Sequence, residues 1–300
     1  MPDGVPKILR FVEGWGRRAG PVRWSVRDTI AYAVATGADA HNGRALVWES
    51  APGFGALPTF ATRFAHDALL RFAAGTQDAG LMSFARAARV RVHRPLPAEC
   101  DDAVASATLE VAEHTAGRLV LRLAVDTSAG GEPLATSSLD VHFRLPGPKG
   151  ARRPPPPPQE AGQDGDGWRV EVRETVQPYQ AAVFRTLLGP AAGGGLQDAM
   201  HIDPAESRKL GLPAPALPGE VTLGIVARLA VGHAARLGAG ALRGAAVTYL
   251  KPVSDADRLV IGFAPAGDGT VRTRAVNGDG RVALRGELHF HPDPALWEAP

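Results

Sequence analysis

Apolar positions along this chain change their period from segment to segment. From Arg118 to Thr127, Leu119, Leu121, Leu123 and Val125 alternate with Val120, Arg122 and Ala124. A two-residue period of this kind predicts a strand with one wholly apolar face. Shorter runs at Ala45–Trp48, Ala88–His93, Ala105–Glu113 and Leu134–Leu145 also predict strands, and Arg169–Val176 alternates strictly. Four more strands are predicted at Ala245–Leu250, Arg258–Ala264, Thr270–Val276 and Arg281–Phe290, with Gly, Asp and Asn turns between them. Two segments follow the helical period instead. Ser25–Gly37 opens on a capping serine with Asp28 three residues on, and Ile30, Ala33 and Val34 line one face. In Val221–Arg236 the residues Leu223, Val226, Ala227, Ala230, Val231 and Ala234 recur at three- and four-residue spacing. So little polar interruption predicts a helix buried on most of its sides.

A long buried helix followed by an antiparallel meander is a hot-dog arrangement, in which the sheet wraps the helix. Both ends of the chain show a helix-then-strands order, and the segment between them breaks the pattern. Pro146–Gly167 holds five consecutive prolines, Pro154–Pro158, followed by Gln, Gly and Asp residues. Such a segment favours polyproline II and suits a solvated spacer; a ligand for an SH3-type domain is the sharper alternative. The expected organisation is therefore α+β: a hot-dog over residues 1–145, a linker over 146–167 and a second hot-dog over 168–300, packed as an intramolecular pseudo-dimer.

Composition narrows the function classes. The 300 residues carry 33 basic and 31 acidic side chains, a net charge of +2, which gives no reason to invoke nucleic acid. Cys100 is the single cysteine, so no disulfide can form within the chain. The first ten residues lack an apolar signal core, no stretch is long and apolar enough to span a membrane, and the chain ends Trp-Glu-Ala-Pro rather than on a peroxisomal tripeptide. A cytoplasmic or organelle-matrix location is the expectation.

Candidate chemistry concentrates between His201 and Gly224. His201-Ile202-Asp203-Pro204 forms a polar turn, and Leu217-Pro218-Gly219-Glu220 leads into the long apolar helix. An imidazole can exchange a proton near neutral pH. The first amides of a helix lack intrahelical acceptors, so Gly219 N–H can hold an anion or a polarised carbonyl oxygen.

This stretch resembles the hydratase motif of MaoC-like dehydratases, the (R)-specific enoyl-CoA hydratase 2 family. Further matches in order along the chain are Ser25–Ala33, Leu57–Phe60, His93–Pro97, Tyr179–Arg185 and Tyr249–Val253. The resemblance implies a double hot-dog that reversibly hydrates trans-2-enoyl-CoA to (3R)-3-hydroxyacyl-CoA, with no metal or redox cofactor and with CoA arriving as part of the substrate. It implies His201 as acid/base, Gly219 N–H as oxyanion donor and Tyr249 at the acyl-CoA site; Lys251, a charge suited to CoA phosphates, and Asp203 are further substrate-binding candidates. Asp203 also reads as a cap for a short helix over Ala205–Leu210, and Lys251 as a solvated charge. A homodimer of double hot-dogs is a further expectation.

The chain departs from the family at three places. The family's aspartate five residues before the histidine is Leu196 here, and Asp198 stands where the family has asparagine. The residue before the glycine is Pro218, where the family usually has histidine. In the first half Ala85-Arg86 replaces a His-Gly pair, so that half is expected to shape an acyl tunnel and not to catalyse. Asp198 is the candidate replacement carboxylate, or merely a turn cap. The departures keep two rivals open: a hot-dog that binds acyl-CoA or stabilises a partner without catalysis, and a thioesterase using a carboxylate and a helix N-terminus.

Overall fold

The computed structural model describes residues 4–76, 83–115, 118–144, 167–188 and 199–291. Nearly all of the proline-rich segment, together with Leu196 and Asp198, lies outside them. Helices α1 (Gly4–Glu13), α2 (Val26–Ala35), α3 (Arg44–Val47) and α4 (Thr62–Thr76) belong to the first half; α5 (Gln180–Thr186), α6 (Pro204–Lys209), α7 (Gly219–Gly232) and α8 (Ala234–Leu237) belong to the second. The strands are β1 (Arg18–Trp24), β2 (Ser83–Val92), β3 (Cys100–Thr115), β4 (Arg118–Ala129), β5 (Glu132–Arg144), β6 (Val170–Thr175), β7 (Leu242–Tyr249), β8 (Arg258–Gly267), β9 (Thr270–Val276) and β10 (Val282–Phe290).

The strands form one antiparallel sheet in the order β1-β3-β4-β5-β2-β7-β10-β9-β8-β6. Its first five strands come from the first half and its last five from the second. The join is β2 against β7, with Ala88 opposite Val247 and Val90 opposite Ala245. Pro21 is accommodated because β1 is an edge strand, where a missing N–H costs no ladder bond. Helix α4 lies against β2–β5 and α7 against β7 and β10, so each half wraps its own helix. The double hot-dog expected from the sequence is the observed architecture.

Helix α7 is buried almost all round: Val221, Leu223, Ile225, Val226, Ala227 and Ala230 are fully buried. At about 1.5–3 kcal/mol per large apolar side chain, this helix anchors the second half. It ends at Gly232, earlier than predicted, so Ala234 lies beyond it, and Val231 is 39% exposed. Helix α2 starts on the predicted capping box, with Ser25 N donating to Asp28 Oδ2 at 2.7 Å. Its buried face, however, is Thr29, Tyr32 and Ala33. The rotation lets Tyr32 fill the core and Thr29 Oγ1 donate to Ala98 O at 2.7 Å. Gly224 lies where α2 and α7 meet: a Cβ there would sit 2.3 Å from Thr36 Cγ2, so only glycine permits the approach.

Ala45–Trp48 is not a strand. Gly43, at φ +109°, starts a helical turn over Arg44–Val47, and the Arg44 guanidinium stacks on Trp48. The other predicted strands are present, most of them longer than the sequence pattern indicated. Among the described residues no helix is long and apolar enough to cross a membrane.

Candidate active site

A cavity of about 680 Å³ opens between the halves. That size falls within the range of small-molecule pockets. The first half contributes apolar wall from α4 and β5, including Leu69, Leu70, Ala73 and Val141; the second contributes the loop around His201, the start of α7 and the end of β7.

His201, in the turn before α6, is half-buried and lines this cavity. Its Nδ1 lies 2.6 Å from the Ala216 carbonyl. A carbonyl oxygen only accepts, so Nδ1 carries the proton and the basic lone pair belongs to Nε2. Asp203 caps α6, its Oδ1 accepting from Ala205 N at 2.7 Å; it is exposed and not among the cavity-lining residues. The structural alternative for Asp203 therefore accounts for its contacts. Asp198 lies outside the described residues.

Gly219 is the first residue of α7, after Pro218 at the cap position with φ −54°. Proline is comfortable there, and the helix start survives the loss of the family's histidine. A Cβ on Gly219 would lie 2.9 Å from the Tyr249 ring, so glycine is required for the aromatic to pack over the helix end. The Tyr249 hydroxyl is buried, and among the described residues no hydrogen-bond partner is found for it. Burial, followed by the nearby Glu220 charge, pushes this phenol well above its ordinary value, so it stays a proton donor. Lys251 lines the same cavity, as does Arg86 of β2.

Two cavity residues were not singled out in the sequence. His66 of α4 places Nδ1 2.9 Å from Oε1 of Glu220, the second residue of α7. The two side chains are 7% and 2% exposed. Burial alone would raise the Glu220 carboxyl, but the His66 charge and hydrogen bond, its own backbone amide and His201 together hold it below its ordinary value. The Phe184 ring meets the His66 ring edge-on, with centroids 5.5 Å apart. An acidic residue opening an otherwise apolar helix was a visible signal for Glu220. His66 had none, because α4 carries Arg63, Asp67 and Arg71 among its apolar residues and shows no clean period.

No family model and no curated protein sequence matches the chain. Solved structures do match. A MaoC-like dehydratase from Phytophthora capsici superposes with a TM-score of 0.70 at 19% identity over 95% of this chain and 99% of its own. The full-length peroxisomal multifunctional enzyme type 2 of Drosophila melanogaster gives 0.71 at 18% identity; 95% of this chain is covered, and the chain spans about half of that structure's length (51%). Rv0216 of Mycobacterium tuberculosis, described as a double hot-dog, gives 0.54 at 14% identity over 91% of this chain and 95% of its own. The ten-strand sheet, its two wrapped helices and these superpositions together identify the chain as a double hot-dog protein with the architecture of the MaoC-like dehydratases.

Proposed function

We propose that the protein catalyses the reversible hydration of a trans-2-enoyl-CoA to the (3R)-3-hydroxyacyl-CoA. The observation that carries this reading is the convergence of His201, Gly219 at the N-terminus of α7 and Tyr249 on one cavity. Hydration needs a group that moves a proton and donors that hold the negative charge growing on the thioester oxygen. His201, with its tautomer fixed by Ala216, serves as the first. Gly219 N–H at the positive end of α7 serves as the second, with the Tyr249 hydroxyl as an added donor. The apolar wall from α4 and β5 suits an acyl chain, and Lys251 and Arg86 suit the phosphates of the CoA carrier.

Leu196 and Pro218, the departures from the hydratase motif, favour a second reading: a hot-dog that binds acyl-CoA without turnover. One assay separates them. Loss of the enoyl-thioester absorbance without thiol release supports the hydratase. Thiol release replaces it with a thioesterase. Neither signal, with acyl-CoA still raising the unfolding temperature, replaces it with the binder.

A further inference from the structure

We propose that His66, oriented by Glu220, is a second acid/base group of this site, so that each half of the chain contributes one histidine to the reaction. The inference rests on the hydration reading above and supplies what that reading lacks, a second proton-handling group in place of the carboxylate absent at Leu196.

The pair spans the halves, His66 from α4 and Glu220 from the first turn of α7, and both residues line the cavity. A buried ion pair is a poor way to hold two elements together, because desolvating both charges offsets most of their attraction. Apolar side chains would join α4 to α7 at least as well. A carboxylate and an imidazole kept in a cavity wall point instead to chemistry. Their geometry is that of a carboxylate-oriented imidazole. Nδ1–H donates to Glu220, the edge-on Phe184 ring restricts the imidazole plane, and Nε2 is the nitrogen left to exchange a proton.

His201 has the same tautomer for a different reason, since its Nδ1–H donates to a neutral carbonyl. A carboxylate partner stabilises imidazolium far more than a carbonyl does, so the two histidines are unequal. Such a difference divides a base from an acid. In the hydration direction a water O–H bond breaks and its proton goes to His201 Nε2. The water oxygen bonds to C3, the C2=C3 electron pair moves through the enolate, and C2 takes a proton from the His66 imidazolium. One water is added, and the two histidines return to their starting states by exchange with solvent. Dehydration runs the same steps backwards. The other titratable groups that face the pair or line the same cavity are Tyr32 of α2, Tyr249 of β7, His142 of β5, Arg86 of β2, Glu206 of α6, Lys251 and His201 itself.

The test uses the full-length protein with trans-2-butenoyl-CoA and trans-2-octenoyl-CoA. His66→Gln is expected to lower kcat about 100-fold or more at a temperature where the variant is folded, with KM much less affected. Glu220→Gln keeps the His66 imidazole but removes the charge that stabilises its protonated form. It is expected to lower kcat and to move the basic limb of the kcat profile to lower pH, a shift that a merely structural Glu220 would not produce. If His66→Gln does not fold, the position of the Glu220→Gln limb decides. An active wild type with undiminished His66→Gln turnover, or an unmoved limb in Glu220→Gln, overturns this inference and leaves the hydratase reading standing. A wild type that hydrates neither substrate overturns both.

Discussion

Arg228 of α7 donates from Nε to the carbonyl of Thr36 at 2.9 Å, crossing from the second half of the chain to the C-terminus of α2 in the first. Helix C-termini leave carbonyls without partners and carry partial negative charge, so a buried guanidinium is well placed there. The same side chain reaches Glu174 Oε1 from Nη2 at 2.6 Å, and Gln180 Nε2 donates to Ala35 O beside it. Arg228→Met should therefore destabilise the protein by about 3–5 kcal/mol, because it strands the Glu174 carboxylate and uncaps α2. The double variant Arg228→Met/Glu174→Gln should recover part of that loss in a denaturant titration.

The His66–Glu220 pair makes a signed prediction for pH. The Glu220 carboxyl lies below its ordinary value, so its contribution to stability is present above the usual glutamate range, near 4.3, and is lost as pH falls through the lower folded value. In His66→Gln the opposing charge is gone and burial raises the carboxyl instead. Protonation then favours the folded state, and that variant's deficit should be large at pH 7 and shrink towards pH 4. Thermal unfolding of both proteins across this range checks the sign.

His201→Ala should lower kcat for hydration by on the order of 100-fold while the fold is kept, since the side chain is half-buried in a turn before α6. Steady-state kinetics beside a far-ultraviolet spectrum tests this. An unchanged rate removes His201 from the mechanism.

Gly219→Ala should be more damaging than a helix propensity scale suggests. Alanine normally favours a helix over glycine by about 1 kcal/mol. Here the added methyl meets the Tyr249 ring, which cannot retreat without disturbing β7. The expected result is a lower unfolding temperature together with a loss of kcat, both read on the same preparation.

Leu196→Asp restores the carboxylate that the hydratase motif carries. It should raise hydration if that side chain is the missing component. Asp198→Asn should abolish residual turnover if Asp198 has taken over its role. If neither substitution changes the rate, this segment has no part in catalysis.

The strands were legible because a two-residue period survives in residues such as Leu119, Leu121, Leu123 and Val125, whose environments differ sharply between faces. Helix α7 was legible for the opposite reason, being apolar all round. Helix α4 was hidden by its charged residues: Arg63 is buried yet lies over the Phe60 and Phe64 rings, an environment sequence alone does not announce. The same limit applied to the site. His201 and Gly219 sit close in sequence and were found by local pattern. His66 and Glu220 are 154 positions apart, and only the packing of one half on the other brings them together.

The covalent link between the halves fixes a stoichiometry. Two identical hot-dog subunits meeting across a β2–β7 type seam would repeat every contact, and each His66 would find a Glu220. In the fused chain the partners occupy non-equivalent positions, the fifth residue of α4 and the second of α7, and the pair occurs once. A tight thioester ligand that uses this pair should therefore saturate at one equivalent per 31.4 kDa chain, whatever larger assembly the protein joins.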